Sequence, residues 1–152
     1  MMVSTKGRYA LRVMLDIAER KNEGYLSLND IATRQEVSMK YLEAIVASLC
    51  RAGLLESKRG KAGGYALTRS PADYTIGEII KAAEGGLSPV ACPECDGETC
   101  SRAPHCQTLP VWRNLDRIID EYLEGITLAD LVDGNVESVS YTHLTLPTIL
   151  LV

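Results

Sequence analysis

Residues Ser38–Arg69, SMKYLEAIVASLCRAGLLESKRGKAGGYALTR, contain the pattern that decides the fold. Their first half repeats apolar side chains at the spacing of one helix face. These positions are Leu42, Ile45, Val46 and Leu49. Ser38 is a suitable N-cap and Gly53 a suitable end, so the pattern predicts a helix between them. Two short strands are then predicted at Leu54–Lys58 and Tyr65–Arg69, around a glycine-rich loop.

Two further helices are predicted before this stretch. Residues 4–21 carry apolar side chains at i, i+3, i+4 and i+7, which is typical of an amphipathic helix. Ser27 to Asp30 has the form of a capping box and opens a short second helix, which Gln35–Val37 ends as a turn. Helices joined by so few residues are typical of a helix-turn-helix, and a basic hairpin after them indicates a winged helix. The alternative is a small helical domain with an ordinary hairpin.

Positive charge concentrates in the same part of the chain. Residues 1–70 carry twelve Lys/Arg against seven Asp/Glu, a net +5, whereas residues 71–152 carry four against thirteen, a net −9. A basic face on an otherwise acidic protein favours a polyanionic partner, although short segments also fluctuate in charge. For a winged helix that partner is double-stranded DNA, with one helix in the major groove and the wing on the backbone or a minor groove.

The first turns of the recognition helix carry the residues that we expect at the base edges. These are Ser38, Met39, Lys40, Tyr41 and Glu43. We expect Lys40 on a phosphate or a guanine, Tyr41 on the backbone, and Glu43 on a cytosine amino group. A solvated surface acid is the alternative for Glu43.

Two other basic groups are expected to contact DNA. Lys58, Arg59 and Lys61 lie at or beside the tip of the wing, and Arg59 is the candidate for insertion into a minor groove. The start of the first helix offers hydroxyl and cationic groups that suit phosphates. These residues are Ser4, Lys6 and Arg8.

The part after the wing predicts three more helical segments. Thr75–Glu78 and Thr127–Asp130 have the capping-box form, and a long helix begins near Thr108-Leu109-Pro110. The long helix carries an apolar stripe at spacings of +4, +3 and +4, like a coiled coil. The stripe consists of Val111, Leu115, Ile118 and Tyr122. A symmetric dimer would cover it and present two recognition helices to a pseudo-palindromic operator; alternatively it packs on its own domain.

Four of the five cysteines lie in the run CPECDGETCSRAPHC. The chain has no apolar run suited to a signal peptide or a membrane span, so we expect a cytoplasmic protein whose thiols stay reduced. Clustered thiolates then suit an iron–sulfur cluster or zinc, and a reversible thiol switch is a third alternative. The candidate ligands are Cys92, Cys95, Cys100 and Cys106. His105 is expected to be a loop histidine, and Cys50 a small core residue.

These patterns divide the chain into a mainly α protein with a small β-hairpin wing. We expect a winged helix-turn-helix domain over residues 1–83 and a cysteine-rich sensor loop over 84–107. A dimerisation helix and a short C-terminal helix follow over 108–134. Residues 139–152, VSYTHLTLPTILLV, have no charged side chain and are typical of translated sequencing adapter or vector. We therefore expect a non-native tail over 138–152 and exclude it from the fold.

Three stretches carry a family resemblance. STKGRYALRVMLDIA, the Ser38–Arg69 stretch with its RG and GGYALTR, and the cysteine loop leading into LPVWRNLD together resemble Rrf2-type bacterial transcription regulators. That family includes IscR, NsrR, RirA and CymR, and the similarity covers roughly residues 2–133. The resemblance implies a dimeric winged-helix repressor or activator. In several members, three cysteines of this loop hold an iron–sulfur cluster that controls DNA binding.

The resemblance also carries over to single cysteines. Cys100 and Cys106 match the second and third family cysteines, with the usual five residues between them. The first ligand would be Cys95 or Cys92, because neither has the five-residue spacing to Cys100 that many cluster-binding members show.

A fourth ligand does not follow from the family pattern. IscR-type members have a histidine three residues after the last cysteine, where this sequence has Leu109. The acidic ligand of NsrR-like members falls at or beside Arg8. The fourth ligand would therefore be the spare cysteine, His105 or a group from outside the protein.

Together these observations predict a DNA-binding regulator that is not an enzyme and that senses iron, redox state or nitric oxide through an iron–sulfur cluster. A zinc-stabilised or thiol-switch winged helix, for example one controlling cysteine metabolism, is the main alternative. A zinc-stabilised module that binds protein, and a thiol oxidoreductase or cluster-transfer protein, are others. The enzyme would leave the basic wing unexplained and lacks an acid/base constellation.

Overall fold

The computed structural model describes residues 3–91 and 100–136. Their helices and strands, in chain order, are α1 (Thr5–Glu19), α2 (Leu28–Gln35), α3 (Met39–Arg51), β1 (Leu55–Lys58), β2 (Gly64–Leu67), α4 (Ile76–Glu84), α5 (Leu109–Glu124) and α6 (Leu128–Val132). Short 3₁₀ turns lie at Lys21–Glu23, Pro71–Asp73 and Ala103–His105. The mainly α fold with a two-stranded wing is confirmed. The expected non-native tail lies outside the described residues.

The core forms where the predicted apolar faces meet. The face of α1 lies against α3 and α4, and the apolar side chains that they share are at most 5% exposed. The core residues of these three helices include Ala10, Val13, Met14, Ile17, Leu42, Ile45, Val46, Leu49, Ile79 and Ala83. Leu128 of α6 is fully buried in the same core. The last short helix therefore packs on the winged domain.

The three capping-box patterns have different outcomes. At α6 the box is complete, because Thr127 N–H donates to Asp130 Oδ2 (2.8 Å) and Asp130 N–H donates to Thr127 Oγ1 (3.1 Å). At α2 only one half forms, in which Asp30 N–H donates to Ser27 Oγ (3.2 Å). The Asp30 carboxylate accepts a hydrogen bond from the Ser27 hydroxyl (2.6 Å) in place of the Ser27 backbone N–H.

The cap of α4 is also a single bond, because its partner carboxylate is used elsewhere. Glu78 N–H donates to Thr75 Oγ1 (3.0 Å), while the Glu78 carboxylate pairs with Arg69 (2.7 Å). The Thr75 hydroxyl donates to Glu124 on α5 (2.6 Å). Glu124 also pairs with Lys81 (2.8 Å), so one carboxylate joins α5 to both ends of α4. This joint fixes the C-terminal end of α5 on the winged domain.

The wing is an antiparallel hairpin whose register runs from the pair Leu55–Leu67 to the pair Lys58–Gly64. The first strand ends at Lys58 as predicted, and the other three strand ends lie one or two residues from the predicted bounds. A third segment holds them, because Leu26 and Tyr65 exchange two backbone hydrogen bonds of 3.0 and 2.8 Å. A Cβ at Gly64 would collide with the Leu26 carbonyl, so glycine is required for this close approach.

The apolar stripe of α5 lies on the protein surface. Its members are 37% to 58% exposed, and of the whole helix only Leu109 is buried. Ile119 and Leu123 beside the stripe are half-buried, with Leu123 against the small cluster around Ile76. The stripe therefore does not pack on its own domain in this chain. Within the described residues, none of the helices combines the length and hydropathy that crossing a bilayer requires.

Candidate nucleic-acid interface and cysteine segment

The first turns of α3 present a polar surface to solvent. Ser38 caps the helix, since its Oγ accepts a hydrogen bond from Tyr41 N–H (3.4 Å). Lys40 and Glu43 are exposed, and the Met39 side chain is 38% exposed although it is apolar. Side chains at this end of a recognition helix reach base edges in a major groove. The geometry is therefore compatible with the predicted contacts of all four residues.

Tyr41 has a different environment from its neighbours. It is half-buried, and its ring meets the ring of Tyr9 edge to face, at 6.0 Å between centroids and 90° between planes. Edge-to-face pairs of this kind stabilise the contact between the elements that carry them. Tyr41 therefore braces α3 against α1 in addition to any contact that it makes with DNA.

Arg12 lies next to this aromatic pair, and the sequence patterns did not single it out. Its guanidinium carbon is 4.8 Å from the centroid of the Tyr9 ring, and its Nε donates to Gln35 Oε1 (2.9 Å). Gln35 is the last residue of α2, so Arg12 lies beside the turn of the helix-turn-helix. Its position one helical turn after Arg8 is the only signal that the sequence offers.

The basic tip of the wing is exposed at all three predicted positions. Lys58, Arg59 and Lys61 are open to solvent. The Lys58 ammonium lies 5.5 Å from the ring centroid of Tyr25, whose hydroxyl donates to Glu56 (2.7 Å) and whose pKa is raised chiefly by that hydrogen bond. The Tyr25 ring therefore orients Lys58, whereas Arg59 and Lys61 lie in the loop between the two strands.

The start of α1 is partly occupied by the protein itself. Ser4 donates to Glu84 Oε1 through both its backbone N–H (2.9 Å) and its hydroxyl (2.5 Å), and Gly7 N–H donates to the same oxygen (2.9 Å). Ser4 Oγ also accepts from Lys6 N–H (3.1 Å) and so caps α1, and a phosphate at this point would face the Glu84 carboxylate. Lys6 is half-buried and Arg8 is exposed, so both cations can still reach an anion.

Two of the four candidate thiol ligands belong to the described residues. Cys100 and Cys106 are half-exposed and flank the 3₁₀ turn Ala103–His105, directly before α5. The pKa of Cys106 is lowered, chiefly by a hydrogen bond from the Thr108 hydroxyl (3.3 Å), and further by backbone N–H groups of Thr108 and Leu109 and by nearby Arg102. These groups favour the thiolate, which is the form that binds metals.

The remaining two cysteines, Cys92 and Cys95, lie outside the described residues. Within residues 3–91 and 100–136, no three His, Cys, Asp or Glu side chains lie close enough to hold a metal ion. The donor chemistry nevertheless fits a thiolate-ligated group, because Cys106 is biased toward the thiolate and lies on an open cleft with His105. The same donors fit zinc, and they fit a disulfide switch.

Cys50 is separate from this segment. It is half-buried against the main core, and burial raises the pKa of its thiol. It therefore packs as a small apolar residue, in agreement with the prediction.

The sequence patterns missed a buried polar cluster around Asp16. Asp16 is only 3% exposed, and it accepts hydrogen bonds from Arg20 (2.8 Å) and, in a two-pronged contact, from Arg34 (2.7 Å at the shortest). The hydrogen bond to Asp16 raises the pKa of Arg34. Since Arg34 belongs to α2, this pair fixes α2 on α1. The only sequence signal is an Asp within the apolar face of α1, four residues before an arginine.

The fold and the exposed basic surface define a class of protein. Three helices, a wing with a basic tip and a solvent-facing recognition helix are the features of winged helix-turn-helix transcription regulators. Residues 3–134 match the Rrf2 family, which is described as an iron-dependent transcriptional regulator. The chain belongs to this family, as the resemblance had indicated, and it is a transcription regulator and not an enzyme.

Individual relatives agree with this assignment. The chain is 39% identical over 141 residues to the HTH-type transcriptional regulator IscR of Aliivibrio salmonicida, across 92% of this chain and 83% of the relative. Among solved structures, IscR of T. potens is 40% identical with a TM-score of 0.71, covering 91% of this chain and 90% of that one. CymR (YrzC), the global cysteine regulator of B. subtilis, is 36% identical with a TM-score of 0.71, covering 88% and 98%.

Proposed function

We propose that this chain is a dimeric DNA-binding regulator whose operator affinity is controlled by an iron–sulfur cluster on the loop cysteines. The observation that carries the proposal is the position of Cys100 and Cys106 directly before α5, the helix with the exposed apolar stripe. A group bound at these thiols would act at the base of the proposed dimerisation helix. DNA binding itself is expected from the family and from the basic surface.

The dimer is supported by the exposure of the α5 stripe. Val111, Leu115, Ile118 and Tyr122 follow one face of a 16-residue helix and are all exposed. Soluble proteins rarely leave such a row open, and a two-fold axis along it would cover both copies. The two recognition helices would then meet a pseudo-palindromic operator, with Lys40, Glu43 and the wing in the contacts predicted above.

The proposed cluster would be held by Cys100, Cys106 and one or both of Cys92 and Cys95. When bound, it supplies a cross-link between thiolates that is sensitive to iron supply, oxygen and nitric oxide. The signal would pass from the cysteine segment to α5. The α4–α5 joint, formed by Glu124, Lys81 and Thr75, would determine how far α5 moves when the cysteine segment shifts. Couplings between two sites are typically about 1–3 kcal/mol, or roughly 5- to 150-fold in affinity.

A thiol switch or a zinc site is the second candidate function. It is favoured by the likeness to CymR, described as a global cysteine regulator, which is as strong as the likeness to IscR. The lowered pKa of Cys106 suits disulfide chemistry as well as metal binding. In this variant the same segment and the same helix transmit the signal, and only the chemistry at the thiols differs.

The test that separates these candidates is the composition of protein purified without oxygen. Broad visible absorption with matching iron and sulfide would support the cluster. A colourless protein with stoichiometric zinc would make the segment a structural clip. A colourless, metal-free protein whose Cys100 and Cys106 oxidise reversibly would favour the thiol switch.

Substitution of single cysteines sharpens this test. Cys106→Ser is expected to abolish the visible absorption while the protein remains folded and dimeric. Cys50→Ser is the matched control, since Cys50 packs against the core far along the chain from the segment. Absorption that survives in Cys106→Ser would contradict the assignment of Cys106 as a ligand.

Glu43 provides a test of the reading surface. Its carboxylate is exposed on α3 and would be repelled by DNA unless it accepts a hydrogen bond from a cytosine amino group. As a hypothesis, this charge acts as a selectivity gate that the state of the cysteine segment tunes. If Glu43→Ala keeps the same preference among duplexes, the gate does not exist. Failure of the native protein to bind any duplex in any metal state would contradict the proposed DNA binding.

A further inference from the structure

We propose that Arg12 contacts a DNA phosphate beside the recognition helix. This inference rests on the proposed DNA-binding function and adds a contact that the sequence patterns did not assign. It follows from three features of the side chain, namely its fixed position next to α3, its exposure and the lack of an acidic partner among the residues that the structure describes.

The position of Arg12 is set by a chain of contacts that leads to α3. Its guanidinium lies over the Tyr9 ring at 4.8 Å, and the Tyr9 ring meets Tyr41 in the first turn of α3. A guanidinium that stacks on an aromatic face keeps its planar orientation and loses less freedom when it forms further hydrogen bonds. Arg12 is therefore held in place relative to the residues that are expected to read bases.

Gln35 holds the same guanidinium from the other side. Arg12 Nε donates to Gln35 Oε1 at 2.9 Å, and Nη2 approaches the Gln35 carbonyl oxygen at 3.4 Å. Within the described residues, Nη1 has no such bond, and the side chain as a whole is exposed. The guanidinium thus faces solvent at the turn between α2 and α3 with hydrogen-bond donors to spare.

The charge of Arg12 is not neutralised by the described part of the protein. Arg20 and Arg34 pair with Asp16, and Arg69 pairs with Glu78, whereas none of the described carboxylates pairs with Arg12. Its two partners, an aromatic ring and a neutral amide, orient the cation and leave its charge intact. A fixed, exposed and uncompensated guanidinium is well suited to a phosphate, which it can bind through two parallel hydrogen bonds.

The experiment measures how DNA affinity depends on salt. The probe is a labelled duplex enriched by the wild-type protein from a randomised pool, and it is titrated between 0.1 and 1 M salt with the full chain. Each phosphate that a cation neutralises contributes about 0.9 to the slope of log affinity against log salt. Arg12→Gln should reduce the magnitude of this slope by about 0.9 for each Arg12 engaged. When salt rises tenfold, the affinity of the variant should therefore fall about 8-fold less than that of the wild type for each such contact.

Two variants separate a phosphate contact from a structural brace. Arg12→Lys keeps the charge and should keep the slope, although it binds less tightly because the planar stack is lost. Lys21→Gln removes one positive charge just beyond the other end of α1, where the side chain is exposed, and should leave the slope unchanged.

Two outcomes would overturn the inference. If Arg12→Gln weakens binding with an unaltered slope, and Gln35→Ala does the same, Arg12 only braces the helix-turn-helix. In that case the proposed function stands. If the wild-type protein enriches no duplex from the pool, the proposed function fails and this contact fails with it.

Discussion

Tyr74 is a single residue on which the base of the wing depends. It is fully buried, and its hydroxyl donates to the Leu54 carbonyl (3.0 Å) and accepts from Arg69 N–H (2.8 Å). The Arg69 guanidinium also lies over its ring at 4.4 Å. The side chain therefore ties together the ends of the hairpin and the segment leading to α4.

Tyr74→Phe should lower the free energy of unfolding by about 1–3 kcal/mol, because Arg69 N–H loses its partner and the Leu54 carbonyl keeps only the longer bond from Thr68 Oγ1 (3.4 Å). Urea denaturation followed by circular dichroism measures this change. Tyr25→Phe is the matched control, since its hydroxyl bonds to Glu56 at the surface and its removal should leave the free energy of unfolding close to that of the wild type. Equal losses in the two variants would show that the buried Tyr74 hydroxyl contributes no more to stability than the surface hydroxyl of Tyr25.

Asp16 is the second residue whose buried contacts are expected to contribute to stability. Asp16→Asn should destabilise the protein by about 1–3 kcal/mol, since the amide is uncharged and its NH2 group would replace the buried oxygen that accepts from Arg34 Nη2. The loss of stability should be smaller than for a fully buried ion pair. Arg20 and Arg34 are each 30% exposed, so water can solvate their guanidinium groups when Asp16 is replaced.

The control for Asp16 is Glu121→Gln, which removes an exposed carboxylate that pairs with Arg117 at i, i+4 and should cost at most about 0.5 kcal/mol. Both variants can be compared by thermal and urea unfolding at one salt concentration. A loss for Asp16→Asn no larger than this control would mean that the link between α1 and α2 carries no net stability.

The residue scale also shows where sequence patterns fail. Exposed positions such as Lys40, Glu43 and Arg59 could be predicted, because one face of a helix and the tip of a hairpin follow from periodicity and glycines. Ser4 and Tyr41 could not be described fully from the sequence. Their environments depend on Glu84 and Tyr9, which lie on other helices and contact them only after folding.

At the scale of elements, the wing shows how a distant segment adjusts a local pattern. The glycine-rich loop predicts a hairpin, but the strands shift so that Gly64 enters β2 and approaches the backbone of Leu26. Nothing near the loop indicates this contact, since the two residues are far apart in the sequence. The hairpin was therefore predictable and its anchoring was not.

Gly64→Ala should destabilise the protein by about 2–3 kcal/mol or more, because the added methyl group would collide with the Leu26 backbone at a φ of +154°. The wing should also lose its position, so DNA affinity falls. Gly60→Ala is the matched control, since it has a φ of +110° but nothing within 4 Å of the added Cβ. It should cost only the backbone strain, about 1 kcal/mol. Urea unfolding and a DNA titration would measure both effects, and equal costs would contradict the steric account.

At the scale of the whole molecule, the two halves of the chain carry opposite net charges and different functional elements. The positive half carries the recognition helix and the wing, and the negative half carries α5 and the cysteine segment. The core does not follow this division, because α6 returns from the end of the described chain to bury Leu128 against α1. Movement of α5 would therefore be resisted at its C-terminal end, by the joint at Glu124 and by the packing of α6.

The stripe on α5 makes a prediction for the whole molecule. Leu115 and Ile118 are 38% and 37% exposed, so Leu115→Asp with Ile118→Asp should leave the fold of one copy intact. The charges would be costly to bury between two copies, and the protein should become monomeric by sedimentation. Because two half-sites are then no longer bound together, affinity for a palindromic duplex should fall by about 100-fold or more. The effect on a single half-site should be small.

Glu121→Ala is the control on the same helix, since Glu121 is exposed and pairs with Arg117 at the surface. A double variant that stays dimeric would show that copies associate through another surface, and the exposed stripe would then need a different partner. A double variant that is monomeric yet binds the palindrome as tightly as wild type would separate dimerisation from DNA binding. In that case a shift of α5 by the cysteine segment would not control operator affinity, and the proposed coupling would fail.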